Sequence, residues 1–318
     1  MQETRLIEPK RISEEISSKL VDINEQSRNY IHDVILIMNS EKLIDKVLSI
    51  ILFGSQMKNH CKNRENTVIS DCDLLIVFKD NVSTSLLRKM EKYLIALENK
   101  HNFRKTNSNF VNKMLDVMQQ TTGMFVSHFL TKKTYFESGI FHKIFSVNKF
   151  LSDIFAPKKL VLSSVVDNST VLWGEDLRDL VKEKVEIDPY DMIKSITMNL
   201  LISLLCILFS PLKIFKPKYQ LEAVKWSLRA SNFYAFEDSE SLNYIIKRFI
   251  FIEKSQRNKN RANRFYTKFL ELRKDPHIDF AFMLRCPFRI IKIHLKGIWF
   301  KKMKIKMLKS LKKINSLD

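Results

Sequence analysis

Two short apolar runs, Val47–Phe53 (VLSIILF) and Leu74–Phe78 (LLIVF), constrain the fold of this chain more than any other feature. Each is β-branched and bounded by polar clusters, and each is too short for a buried helix, which is how a strand covered on both faces reads. The polar stretch between them, Gln56 to Ser70, contains no apolar run. Met124–Leu130 (MFVSHFL) and Thr170–Trp173, followed by Gly174, are the third and fourth strand candidates. Leucines at helical spacing across Ser85–Lys100 predict a helix after the second strand, and Asn109–Gln120 reads as another short one. Before the first strand, Ile12, Ile16, Leu20 and Ile23, then Ile31, Val34, Ile35 and Met38, recur with helical period. Strand, strand, helix, strand predicts an α+β fold, a small mixed sheet with flanking helices.

Five glycines and seven prolines in 318 residues offer too little turn chemistry for a β-sandwich or a propeller. From Tyr190 onward no strand candidate remains, and Tyr219–Phe236, Ser241–Lys254 and Arg261–Lys274 read as helices. The α+β part is therefore expected to be followed by an all-helical domain, with the boundary at Asp188-Pro189. The expected organisation is an N-terminal helical segment over 1–40, the α+β domain over 41–187, the helical domain over 188–284 and a basic tail over 285–318.

Lys and Arg outnumber Asp and Glu 54 to 35, and residues 285–318 alone hold eleven basic residues against one acid. A surplus of this kind favours phosphate-rich partners: nucleic acid, nucleotides or an anionic membrane. The run IWFKKMKIKMLKSLKK mixes Ile, Met and Leu with Lys, and reads equally as a solubilising surface helix, an RNA contact or an anchor on anionic membrane. Cys61, Cys72, Cys206 and Cys286 are scattered without a CxxC pair, so neither a zinc site nor a disulfide framework is expected. The charged N-terminus lacks the apolar core of a signal peptide, and cytoplasmic residence is expected, peripheral to a membrane if the basic tail anchors there. Ile196–Leu212 is apolar over 17 residues but contains Asn199 and a proline near its end, and is read as a buried bundle helix, with a membrane span as the alternative.

The chemistry is concentrated at LFGS, Leu52 to Ser55, and at SDCDLLIVF, Ser70 to Phe78. Gly54 at a strand end lets backbone approach a phosphate with no Cβ in the way, and the hydroxyl and amide of Ser55 can donate to its oxygens. Asp71 and Asp73 stand two positions apart, so both carboxylates share one face while Cys72 takes the other. A pair of this kind is a hard-oxygen site for Mg²⁺, which bridges phosphate oxygens in an in-line displacement.

Apolar strand, Gly-Ser, polar loop, Asp-x-Asp, apolar strand: this order resembles the nucleotidyltransferase superfamily typified by polymerase β, in its minimal bacterial and archaeal form. The resemblance covers roughly residues 45 to 180. It implies that Asp71 and Asp73 are metal ligands and catalytic, and that Gly54 and Ser55 hold the nucleoside triphosphate. Such enzymes carry a third carboxylate on a later strand, and Met124–Leu130 offers Ser127 and His128 in its place. His128, or failing it Ser127, is expected to face Asp71 and Asp73, His128 as base or ligand; the other reading of His128 is a structural histidine on an apolar strand. Glu137, Glu175 and Asp176 are further acidic candidates, the last two in what reads as a strand end and turn. Lys225, four residues before Arg229 on one helix face, is a candidate for the triphosphate or part of a solvated basic face. The expected function is Mg²⁺-dependent transfer of a nucleoside monophosphate, from ATP first, to a hydroxyl on a small molecule, a protein or an RNA end. The alternative is a nucleotide-binding regulatory module without catalysis.

Overall fold

The computed structural model describes residues 15–21, 23–54, 72–103, 127–182, 188–210, 217–238 and 240–314. Ser55, Asp71 and the Asn109–Gln120 helix lie outside the described residues. The chain divides into two compact units, one of residues 1–65, 69–154 and 161–186, the other of 66–68, 155–160 and 187–318.

The first unit is built on a four-stranded mixed sheet in the order β3-β2-β1-β4, formed by β1 (Val47–Phe53), β2 (Asp73–Phe78), β3 (His128–Lys132) and β4 (Ser169–Gly174). β1 pairs antiparallel with β2 and with β4, while β2 pairs parallel with β3. All four strand candidates are present, the third shifted toward its C-terminal side. β1 and β2 are central and covered on both faces, which is why their sequences are continuous apolar runs and do not alternate.

Helices α1 (Glu25–Ser40) and α2 (Thr84–Lys100) cover one face of the sheet. Each starts at a side-chain cap: Asn24 accepts from the Ser27 amide and Ser83 from the Leu86 amide. Tyr30, Ile31, Val34 and Met38 of α1, with Met90 and Leu94 of α2, form one core with Ile50, Leu52, Leu74, Ile76, Phe78 and Leu130. The N-terminal helical segment is thus part of the sheet's own core. Short helices follow β3: α3 (Lys133–Glu137), α4 (Phe141–Ile144), α5 (Lys149–Phe155) and α6 (Lys158–Asp167), with α7 (Asp179–Lys182) after β4. On the second face of the sheet Phe129 meets Phe53 and Phe145 at centroid distances of 5.9 and 5.1 Å.

The second unit contains α8 (Pro189–Phe209), α9 (Pro217–Phe236), α10 (Leu242–Phe251), α11 (Gln256–Lys274) and α12 (Phe280–Ile314). Asp188 and Pro189 form the start of α8: the Asp188 carboxylate accepts from the Asp191 amide at 2.8 Å, and proline occupies the first turn, where no backbone donor is needed. The basic segment from Arg285 is no separate tail. It lies within α12, whose Cys286, Ile290, Ile293 and His294 are buried in this unit. His294 approaches Asn199 of α8 and Ser231 of α9 at 3.4 and 3.3 Å, and burial lowers its pKa to about 3, so it remains neutral.

Gly174 ends β4 at φ +85°, where a side chain would overlap the Leu48 carbonyl oxygen. Gly174→Ala is expected to destabilise the protein by about 2 kcal/mol, read from urea unfolding. An unchanged midpoint would show that the β1–β4 edge tolerates the added Cβ.

Candidate functional site

The candidate site lies where β1 ends beside the start of β2. Antiparallel pairing sets Phe53 opposite Asp73, so Gly54, one residue on, lies against the Asp73 side chain. Gly54 has φ +80°, and a Cβ there would overlap the Asp73 carboxylate. Both requirements, left-handed backbone and space for a carboxylate, are met by glycine alone. Asp73 is half-buried at the rim of the sheet. β4 reaches the same edge, with Ser169 opposite Phe53.

A carboxylate oxygen held at a strand start is a hard donor suited to Mg²⁺, and the glycine leaves room around it, so Asp73 fits the implied metal. Asp71, its expected companion, and Ser55 lie outside the described residues. Among the described residues no group of three His, Cys, Asp or Glu forms a metal cluster.

His128 does not face Asp73. In the parallel β2–β3 ladder His128 is in register with Leu74, and Leu74 belongs to the core under α1 and α2. Neighbouring residues of a strand point to opposite faces, so Asp73 is on the other side of the sheet. His128 is 2% exposed, and its Nδ1 lies 2.8 Å from Glu98 Oε1. The same oxygen accepts from the Ser127 amide at 2.8 Å, while the Ser127 carbonyl accepts from the Leu74 amide at 2.9 Å. This histidine and Glu98 pin the start of β3 to α2. Glu98 was missed in the sequence, although its signal is present: Met90, Leu94 and Glu98 follow at intervals of four, which puts an acid on an otherwise apolar helix stripe.

Tyr30 packs beneath the same face and is fully buried. Burial, and then the nearby acidic groups of Glu98, Cys72 and Asp73, raises its phenol pKa well above the ordinary value of 10.0.

The other acids have local partners. Asp176 caps its own turn by accepting from the Arg178 amide at 3.1 Å, and grips the Arg178 guanidinium at 2.8 and 2.5 Å. These bonds hold the Asp176 carboxyl below the ordinary carboxylate value. Arg178 also donates to the Ser169 carbonyl at 2.9 Å, so a cation sequence reading overlooked is anchored to the strand residue beside Phe53. Glu137 pairs with Lys133 at 3.6 Å, and Glu175 is an exposed turn residue whose amide donates to the Leu48 carbonyl at 2.8 Å.

Lys225 belongs to α9, in the second unit, and is no solvated cation. It is ion-paired with Glu222, which also accepts from Arg273 at 2.8 Å. Burial lowers the pKa of Lys225 while Glu222 raises it, and the balance lies below the ordinary lysine value. Burial raises the Glu222 pKa, but Lys225 and Arg273 outweigh it and bring it down to about 2.

No family model matches the sequence, and no curated protein matches it. Among solved structures, the chain is similar to spectinomycin adenyltransferase AAD(9) from Enterococcus faecialis, determined with ATP and spectinomycin. The TM-score is 0.46 at 11% identity, covering 85% of this chain and 98% of that one.

Two outcomes follow. His128→Leu is expected to lower stability by about 2 kcal/mol through the lost bond to a buried carboxylate, with Mg²⁺-ATP affinity by calorimetry unchanged. A loss of affinity at full stability would return His128 to the site. For Glu222, the depressed folded pKa means its stabilisation is complete above the ordinary 4.5 and is lost as pH falls toward about 2. Glu222→Gln is expected to cost about 3 kcal/mol at neutral pH and to flatten acid unfolding across that window, followed by circular dichroism.

Proposed function

We propose that this protein is a nucleotidyltransferase that moves a nucleoside monophosphate from a triphosphate, ATP first, to a hydroxyl acceptor. The observation that carries this reading is the contact of Gly54 with Asp73 across the β1–β2 pair, at the point where Ser55 follows and Asp71 precedes. The glycine admits phosphate to the strand end, and the Ser55 hydroxyl and amide donate to its oxygens. Asp71 and Asp73 would hold Mg²⁺, which would supply neutralisation of phosphate charge; the acceptor hydroxyl forms the new bond to the α-phosphorus, its proton passes to solvent, and pyrophosphate leaves. Lys225 is left out of this assignment because its charge is committed to Glu222.

Asp73→Asn is expected to reduce transfer about a thousandfold, equivalent to about 4 kcal/mol, with the fold retained. Gly54→Ala is expected to do the same by displacing the carboxylate. Pyrophosphate release from labelled triphosphates with Mg²⁺, against small-molecule hydroxyl, protein and RNA acceptor pools, is the measurement. Full activity in Asp73→Asn would reject the assignment.

One observation favours a second reading. His128, the expected stand-in for the third carboxylate, is on the other face of the sheet, and among the described residues no group of three His, Cys, Asp or Glu could hold a metal. A nucleotide-binding regulatory module would bind Mg²⁺-ATP with wild-type dependence on Asp73 and Gly54, yet release no pyrophosphate with any acceptor pool.

A further inference from the structure

The second unit has an unusual distribution of polarity. Helix α8 turns Asp191, Lys194, Asn199 and Ser203 inward, while Leu204 and Leu208 point outward, 53% and 67% exposed. Helix α12 behaves similarly. It buries Cys286, Ile290, Ile293 and His294 against the bundle and leaves a second apolar stripe outside: Phe288 (75% exposed), Ile291, Leu295 and Trp299 (45%). Those four recur at spacings of three, four and four, which keeps them on one side of the helix. Scattered exposed apolar residues are ordinary, but a helical stripe of this kind marks an interaction surface.

The charge on α12 indicates what covers the stripe. In its 35 residues the helix has eleven basic side chains and no acid. Three of them, Arg289, Lys292 and Lys296, share one carboxylate, Glu253, at 3.9, 3.1 and 2.5 Å, so that cluster retains a surplus of positive charge. Arg285 and Lys302 are exposed on the same helix. A second copy of the chain laid on the stripe would bring two such cationic helices together, at a Coulombic cost. An RNA would meet the cations but leave Phe288, Ile291 and Leu295 wet.

We infer that the outer face of α12 docks this protein on an anionic lipid surface. Phe288, Ile291, Leu295 and Trp299 enter the boundary between headgroups and acyl chains, while the basic side chains of the helix meet lipid phosphates. Only α8 is long and apolar enough to cross a membrane by length and composition among the described residues, and its inward polar face is packed in the bundle. The attachment through α12 is peripheral, because the stripe is one face of a helix whose other face is buried in the unit. It does not depend on the proposed transfer activity.

The test is flotation of the full chain with phosphatidylcholine vesicles, with and without phosphatidylserine. Recovery with the anionic vesicles alone, declining as salt rises, is expected. Phe288→Ser combined with Leu295→Ser should reduce recovery about tenfold. Both sites are exposed, so circular dichroism and the unfolding midpoint should not change. Arg285→Glu with Lys302→Glu should weaken binding without altering the fold. Brominated lipid should quench tryptophan emission in the wild type and much less in Trp299→Phe. The inference is overturned if the protein stays with the soluble fraction at low salt, or if the serine double variant floats like the wild type. It is equally overturned if, without vesicle binding, that variant abolishes a concentration-dependent dimer or the chain shows only salt-sensitive RNA binding.

Discussion

The antiparallel pairing of β1 with β2 organises the first unit. Because Phe53 lies opposite Asp73, the last residue of one central strand and the first of the next meet at one edge of the sheet, and Gly54 turns the chain away within reach of a carboxylate. The same register assigns every neighbouring residue to a face. Leu74, Ile76 and Phe78 go to the core beneath α1 and α2, while Asp73 takes the opposite side. A slip of one residue would bury the carboxylate among the leucines and isoleucines of that core and turn Leu74 toward the opposite face.

Buried and half-buried charge is managed in the same way throughout the chain. Glu98 takes donors from His128 and Ser127, Glu222 from Lys225 and Arg273, and Glu253 from three cations of α12. A carboxylate removed from water needs several donors, and here each ties together segments distant in sequence. In the second unit the cations exceed the acids at both clusters. That surplus is local and structural in origin, and on α12 it coincides with apolar side chains left in solvent.

Two surfaces with different chemistry result. The β1–β2 edge combines open backbone with a hard oxygen donor, which suits a polyphosphate. The outer side of α12 combines apolar side chains with unbalanced positive charge, which suits a lipid interface. Each is contained within one unit, so each has its own physical basis.

Much of this was legible in the residues themselves. Val47–Phe53 and the run ending at Phe78 announced the central strands because burial on both faces demands continuous β-branched residues. Asp188-Pro189 marked a helix start through cap chemistry, and Gly54 marked a left-handed strand end, since both are local backbone properties. What only tertiary structure decided is which partners meet. The face of His128 depends on the parallel register of β3 against β2, and alternation alone allowed either side. Lys225 read as a free cation until α11 brought Arg273 to the same Glu222. The apolar run of α8 read as core, and the segment from Arg285 as a basic tail, because composition counts apolar and charged residues without saying which side of a helix its neighbours cover. Local sequence sets propensity and spacing; register and packing, which join residues far apart in the chain, determine whether a side chain faces a ligand, a partner or solvent.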